Sequence, residues 1–296
     1  MQDQKVKIEE VSKFWSENPC DANGSTSANR KQYFEEIEKH RYALIRHIPH
    51  VAKFNQFKNK KVLEIGCGIG TDGRQFAKNG ADYYGINIDE GSTTLTLEAF
   101  QLFGLKGDIR QMNGEALEFE NNFFDHIYCC GVIHHSPDTE KIVEEMYRVL
   151  KPGGTVCVMI YNKSSVNYYF EIMFLRKIFR FFLIPSFTPH FISKVTGFNE
   201  HKLKRHREIL FSQKMTKDKW ISINTDGPNC PLAKVYNKRE AYLLFEAAGF
   251  SQIKTYVRFF NKTHYSYLGK LIPNWLEDQI GNRWGWSRWI EAVKPS

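Results

Sequence analysis

The chain has 296 residues, 42% of them apolar and 25% charged, which is enough to fill a core and ordinary for a globular protein. This composition excludes a disordered, collagen-like or solenoid architecture, and the length fits one large domain or a domain with additions. A net charge of +8 is a mild bias, compatible with an anionic substrate, a headgroup surface, nucleic acid or solubility alone.

The opening MQDQKVKIEE carries charges and no apolar h-region, so no secretory signal is read and a cytoplasmic protein is expected. Residues 1–59 read as an N-terminal helical cap, interrupted by a Gly-, Ser- and Asn-rich loop from Pro19 to Arg30. In the second half of the cap, Phe34, Ile37, Tyr42, Leu44 and Ile45 recur at roughly helical spacing. Then strands and helices alternate. Strand KVLEI leads to helix TDGRQFAKNG, strand DYYGINI, helix STTLTLEAFQLFGL and the short strand DIRQM. FDHIYCC, helix DTEKIVEEMYRVL and TVCVMIY follow. Short apolar runs between amphipathic helices predict βαβ crossovers and a parallel sheet buried on both faces. After Tyr161 the alternation stops, and residues 164–233 form an aromatic and basic insertion. Helix NKREAYLLFEAAGF and strands QIKTYVRFF and WSRWIEAV return to the core, which is expected to span 60–163 and 234–296. The fold class is therefore α/β, with helices on both faces of a mostly parallel sheet. The six cysteines, at 20, 67, 129, 130, 157 and 230, form no CxxC pair and no paired metal-ligand spacing. They read as reduced core thiols, and no metal site is expected.

The stretch VLEIGCGIGTDG carries the strongest signal, because a strand ending in glycines before a helix cradles an anion or nucleotide. Two readings of the spacing are open: Gly68, Gly70 and Gly73 as GxGxxG, or Gly66, Gly68 and Gly70 with Gly66 as the turn. Glu64 stands inside an apolar strand, where a charge is costly unless it is paired or meets a ligand. With GINIDE, GEALEFENNFFDHIYCCGVIHH and LKPGG further on, the chain resembles the class I S-adenosylmethionine-dependent methyltransferases. The nearest likeness is to the small-molecule enzymes grouped with ubiquinone and menaquinone biosynthesis. The resemblance implies a Rossmann-like seven-stranded sheet and S-adenosylmethionine as cofactor. It brings Gly66, Cys67, Gly68 and Gly70 against the methionyl and ribose parts, with Glu64 near the amino group. Asn87, beside Ile88, stands where the family has the acidic ribose contact, and Asp89 is the substitute. Glu115 and the Ala116 backbone would meet adenine. Tyr33 and Arg41 either close over the cofactor carboxylate or are ordinary packing and surface residues.

His134 and His135 follow the fourth strand at its carboxyl end, where open α/β sheets bind ligands, and His135 is the favoured acceptor-facing group. The alternative is a histidine that merely bonds backbone in the turn SPD. Tyr161, ending the fifth strand, is the next candidate for the acceptor pocket. Methyl transfer is an in-line displacement driven by positioning, to which a base near the acceptor adds about 10²–10⁴-fold. Base N-methyltransferases of nucleic acids commonly carry (N/D)PP(Y/F) where this chain reads GVIHH, which argues against base N-methylation but not against every RNA substrate. The segment from Tyr168 to Ile184 is too charged to span a membrane. It reads as a lid over a small apolar, ring-bearing or lipid-like acceptor, as a homodimer helix, or as a membrane-surface helix. The basic run at Lys202, Lys204, Arg205 and Arg207 is a solvated face or an anion contact. The rival functions are a non-catalytic cofactor- or membrane-binding module and, more remotely, a nicotinamide-dependent oxidoreductase.

Overall fold

The computed structural model describes residues 6–196, 200–211, 215–227, 229–262 and 269–296. The first five residues of MQDQKVKIEE and the side chain of Lys202, which figure in the sequence reading, fall outside the described residues.

Seven strands form one sheet: β1 (Lys61–Ile65), β2 (Asp82–Asn87), β3 (Asp108–Gln111), β4 (Phe124–Cys130), β5 (Leu150–Tyr161), β6 (Ser251–Arg258) and β7 (Ser287–Val293). Their order is β3-β2-β1-β4-β5-β7-β6. The first five pair in parallel, and β7 runs antiparallel to both β5 and β6. This is the Rossmann-like arrangement anticipated. Helices α4 (Thr71–Lys78), α5 (Glu90–Leu102) and α6 (Thr139–Val149) are the crossovers. The central strands are buried on both faces, which is why they read as apolar runs instead of alternating ones. On one face Leu63, Ile65, Ile127, Val158 and Ile290 pack with Val143 of α6 and Phe245 of α11 (Lys238–Ala247). On the other, Val62, Tyr83, Tyr128 and Trp289 pack with Ile48, Phe54 and Phe76.

The N-terminal segment supplies α1 (Ile8–Glu17), α2 (Arg30–Leu44) and α3 (Ile48–Ala52). Asn29 caps α2 by accepting from the Gln32 amide at 3.1 Å. Beyond β5, a π-helical stretch Asn167–Leu175 runs into α7 (Arg176–Phe182), followed by α8 (Thr188–Thr196), α9 (Glu200–Phe211) and α10 (Lys217–Thr225). These elements have a small core of their own around Ile172, Leu183, Trp220 and Ile223, and Trp286 of the main domain packs against it. Asn237 and Glu240 form a capping box that starts α11. One helix has no counterpart in the sequence reading, α12 (Asn274–Trp284). Its sequence NWLEDQIGNRW is polar on most sides, so its period is weak. Among the described residues, no helix is long and apolar enough to cross a membrane.

Candidate functional site

A cleft of about 810 Å³, mouth included, opens at the carboxyl ends of β1, β2 and β4. That is the crevice in which open α/β sheets bind ligands. Its floor is the glycine loop. β1 ends at Ile65, and Gly66, Gly68 and Gly70 all have positive φ. Of the two spacings, the series beginning with the turn glycine Gly66 is the one the backbone follows. A Cβ at Gly66 would stand 2.3 Å from Val132 Cγ2, so the loops after β1 and β4 touch because no side chain intervenes. A Cβ at Gly68 would meet nothing within 4 Å, because this residue faces the open cleft.

Asn87 holds that loop in place. Its Nδ2 donates to the Gly68 carbonyl at 3.0 Å, and its Oδ1 accepts from the Gly68 amide at 2.8 Å. Thr96 adds a hydroxyl bond to the same carbonyl at 2.7 Å, and the Cys67 thiol lies behind, 3.7 Å from Thr96 Oγ1. The Asn87 amide, read from sequence as a ribose contact, is thus engaged with backbone. Asp89 lines the cleft two residues on, beside Ile88. One of its carboxylate oxygens caps α5 by accepting from the Ser92 amide at 2.7 Å.

The other acidic and basic candidates lie beneath or beside the cleft. Glu64 points under the loop and accepts from the Tyr83 hydroxyl at 2.7 Å. Burial, with Asp72 nearby, pushes its carboxyl up to about 8. Asp72 accepts from Arg41 at 2.8 Å, Tyr42 at 2.9 Å and Tyr128 at 3.1 Å, while Arg41 also pairs with Asp21 at 2.7 Å. Arg41 therefore belongs to a buried network under the loop. Tyr33 donates to the Ala22 carbonyl at 2.7 Å and tethers the loop before α2. Glu115 accepts from the Ser136 hydroxyl and, at 3.1 Å, from the Asp138 amide, joining the loop after β3 to the start of α6. Met112, Asn113 and Gly114 present themselves to the cleft, instead of Glu115 and Ala116. Glu64 and Glu115 are thus engaged by protein partners, as carboxyl groups turned away from solvent must be.

The roof is α1. Ile8, Val11 and Trp15 line the cleft with Cys20, and Ser12 Oγ donates to the Ile88 carbonyl at 3.1 Å. A Cβ at Gly91 would lie 2.9 Å from the Ser16 carbonyl oxygen, so α1 seats directly on the start of α5. Sequence reasoning passed over these residues, although the spacing of Ile8, Val11 and Trp15 marks one apolar helix face.

His135 closes the far end. Its Nδ1 is 2.7 Å from the Leu232 carbonyl, which can only accept, so Nδ1 carries a hydrogen and, in the neutral ring, Nε2 is the nitrogen with the lone pair. Its ring meets Trp15 edge-on at 5.0 Å. His134 is fully buried with its ring 3.9 Å from that of Tyr161, and burial holds it neutral, well below the usual imidazole range. The Tyr161 hydroxyl donates to Asp226 Oδ1 at 2.7 Å, away from the cleft lining. Of the three acceptor-side candidates, only His135 reaches the cleft. The segment that returns from the insertion completes this end through Asp226 and Leu232.

Residues 63–158 match the family described as a methyltransferase domain. The chain is thus similar to a methyltransferase domain over about a third of its length. Over 119 residues the chain is 36% identical to phosphoethanolamine N-methyltransferase 2 of Caenorhabditis elegans, which covers 38% of this chain and 27% of that protein. It is 33% identical over 135 residues to the ubiquinone biosynthesis O-methyltransferase of Methylococcus capsulatus, covering 45% and 56%. The chain thus spans between about a quarter and just over half of these curated relatives. Among solved structures, magnesium protoporphyrin IX methyltransferase from Synechocystis PCC 6803, crystallised with SAH, superposes over 97% of this chain and 99% of its own with a TM-score of 0.56. At 14% identity that likeness concerns the fold. The matched residues include the glycine loop, Asn87, Asp89 and His135. The roof helix and the segment returning from the insertion lie outside the matched residues.

Proposed function

We propose that the protein is an S-adenosylmethionine-dependent methyltransferase acting on a small organic acceptor, with residues 164–233 as a lid. The observation that carries this reading is Gly68, held by Asn87 with its missing side chain facing the cleft. A nucleoside is a fitting occupant, because the cleft walls are apolar with a few polar groups among them. The other oxygen of the Asp89 carboxylate accepts the ribose hydroxyls, in the role that the family resemblance implies for position 87, and Asn113 borders the base. Bound S-adenosylmethionine supplies an activated methyl group. The chain's own work is to exclude water with α1, to align the acceptor and to take its proton on the unspent Nε2 of His135.

Titration calorimetry with S-adenosylhomocysteine tests the reading. One saturable site per chain is expected. If S-adenosylhomocysteine gives no heat while NADH binds, the chain is a nicotinamide protein on the same fold.

A second activity is supported by the outer surface of the insertion. Phe170, Phe174, Phe181, Phe182 and Phe187 are exposed there, Phe181 and Phe187 by about 70%, with Lys177 and Lys194 among them. Exposed aromatic side chains with cations in the same segment suit contact with an anionic bilayer surface. Flotation with phosphatidylserine-containing vesicles checks this: the protein rises with the vesicles and the Phe181→Glu/Phe187→Glu variant stays below. If the parent also stays below, the insertion serves only as a cover, or as a dimer contact that sedimentation would reveal.

A further inference from the structure

We propose that His135, Asp226 and Cys230 form a zinc site at the acceptor end of the cleft. Their ligand atoms all lie within 4.8 Å of one another, and His135 Nε2 is 3.7 Å from Asp226 Oδ2. The edge of a tetrahedral zinc site with bonds of 2.0–2.3 Å is about 3.3–3.8 Å, so small side-chain adjustments close the set around an ion.

Two further observations point to a ligand. His135 Nε2 and Asp226 Oδ2 are both buried atoms without a hydrogen-bond partner, and they converge on the same point. Such unpaired polar atoms are rare in folded proteins and call for a partner. An ordinary histidine–carboxylate bond does not supply it, since 3.7 Å exceeds hydrogen-bond length. Both residues are also anchored on their other side. The Nδ1–H of His135 is bonded to the Leu232 carbonyl at 2.7 Å, and Asp226 Oδ1 accepts from Tyr161 at 2.7 Å. An imidazole fixed through its second nitrogen and a carboxylate fixed through its second oxygen are how proteins orient metal ligands.

The donor set selects the ion. One nitrogen, one oxygen and one sulfur suit zinc, whereas magnesium and calcium take oxygen alone. A carboxylate and a thiolate cancel the charge of a divalent cation, which a site with Cys230 fully buried and His135 nearly so requires. Three protein ligands leave a fourth position for an incoming group, and His135 lines the cleft from which that group arrives. For its purpose the site rests on the methyl-transfer reading and deepens it: with zinc present, the His135 lone pair is engaged, and the acceptor's polar atom meets the ion. The acceptors favoured are those that coordinate zinc, bearing a thiol or an ionisable hydroxyl. Sequence spacing gives no sign of the site, because its ligands come from the turn after β4 and from the far end of the insertion.

The full chain, stripped with a chelator, is titrated with zinc sulfate and separately with cobalt chloride. One ion per chain is expected, and cobalt should show a thiolate charge-transfer band. Cys230→Ser should abolish that band and weaken zinc at least tenfold, and Asp226→Asn should weaken it to a similar degree, with circular dichroism unchanged. Cys230→Ser should bind S-adenosylhomocysteine like the parent. The proposal is overturned if the stripped chain takes up no stoichiometric zinc, or if Cys230→Ser keeps both the affinity and the cobalt band. If zinc binds as expected but S-adenosylhomocysteine does not, the metal site stands and the methyltransferase reading falls.

Discussion

Gly68→Val is expected to lose S-adenosylhomocysteine binding by at least about a hundredfold, equivalent to ~2.7 kcal/mol, while the protein remains folded. At φ +56° a Cβ on residue 68 meets no protein atom within 4 Å, so the new side chain fills only cleft volume. The left-handed backbone costs a β-branched residue about 1–3 kcal/mol, a tolerable fraction of a domain's stability. Gly66 offers the contrasting control. There a Cβ would collide with Val132 at 2.3 Å, and Gly66→Val should fail to fold instead of failing to bind. Calorimetry and thermal melting on both variants separate the two effects. Unimpaired binding by Gly68→Val would remove the central support for a nucleoside in this cleft.

Arg41→Met should lower stability by about 3–5 kcal/mol, the usual cost of stripping a buried carboxylate of its cation. The Arg41 side chain is 12% exposed and bridges Asp72, only 2% exposed, to Asp21. Methionine keeps much of the aliphatic stem, so the loss reports charge more than volume. What remains is Asp72 beside the buried Glu64, with only the Tyr42 and Tyr128 hydroxyls to answer it. For a chain of this size the unfolding midpoint should fall by roughly 10 °C. The double variant Arg41→Met/Asp72→Asn should recover a substantial part, because it removes the orphaned charge. If Arg41→Met melts like the parent, the network under the loop contributes nothing to the fold.

Most of the architecture was legible along the chain. The segment FDHIYCC coincides with β4 residue for residue, and KVLEI does the same for β1. Both follow from apolar runs bounded by glycine or turn residues, a local signal that tertiary contacts reinforce. The turn at Gly66 was legible for the same reason, being set by the end of β1. What escaped was the direction in which side chains face and the company they keep. Glu64 carries no sign that Tyr83, on the neighbouring strand, will take its carboxylate under the loop. Asn87 does not announce that its amide is consumed by Gly68. The roof went unread because Ile8, Val11 and Trp15 meet the cleft only after α1 folds back over α5. Asp226 comes beside His135 across a long stretch of chain, and no local pattern encodes such a meeting.

The seating of α1 has a kinetic implication. Across the cleft, that helix is moored to β2's end by the Ser12–Ile88 bond and to α5 by backbone closeness at Gly91. A nucleoside held below it is shielded from bulk water, yet its departure waits on a swing of the same helix. Residence time in the cleft would then be governed at Ser16 and Gly91, well away from any reacting atom.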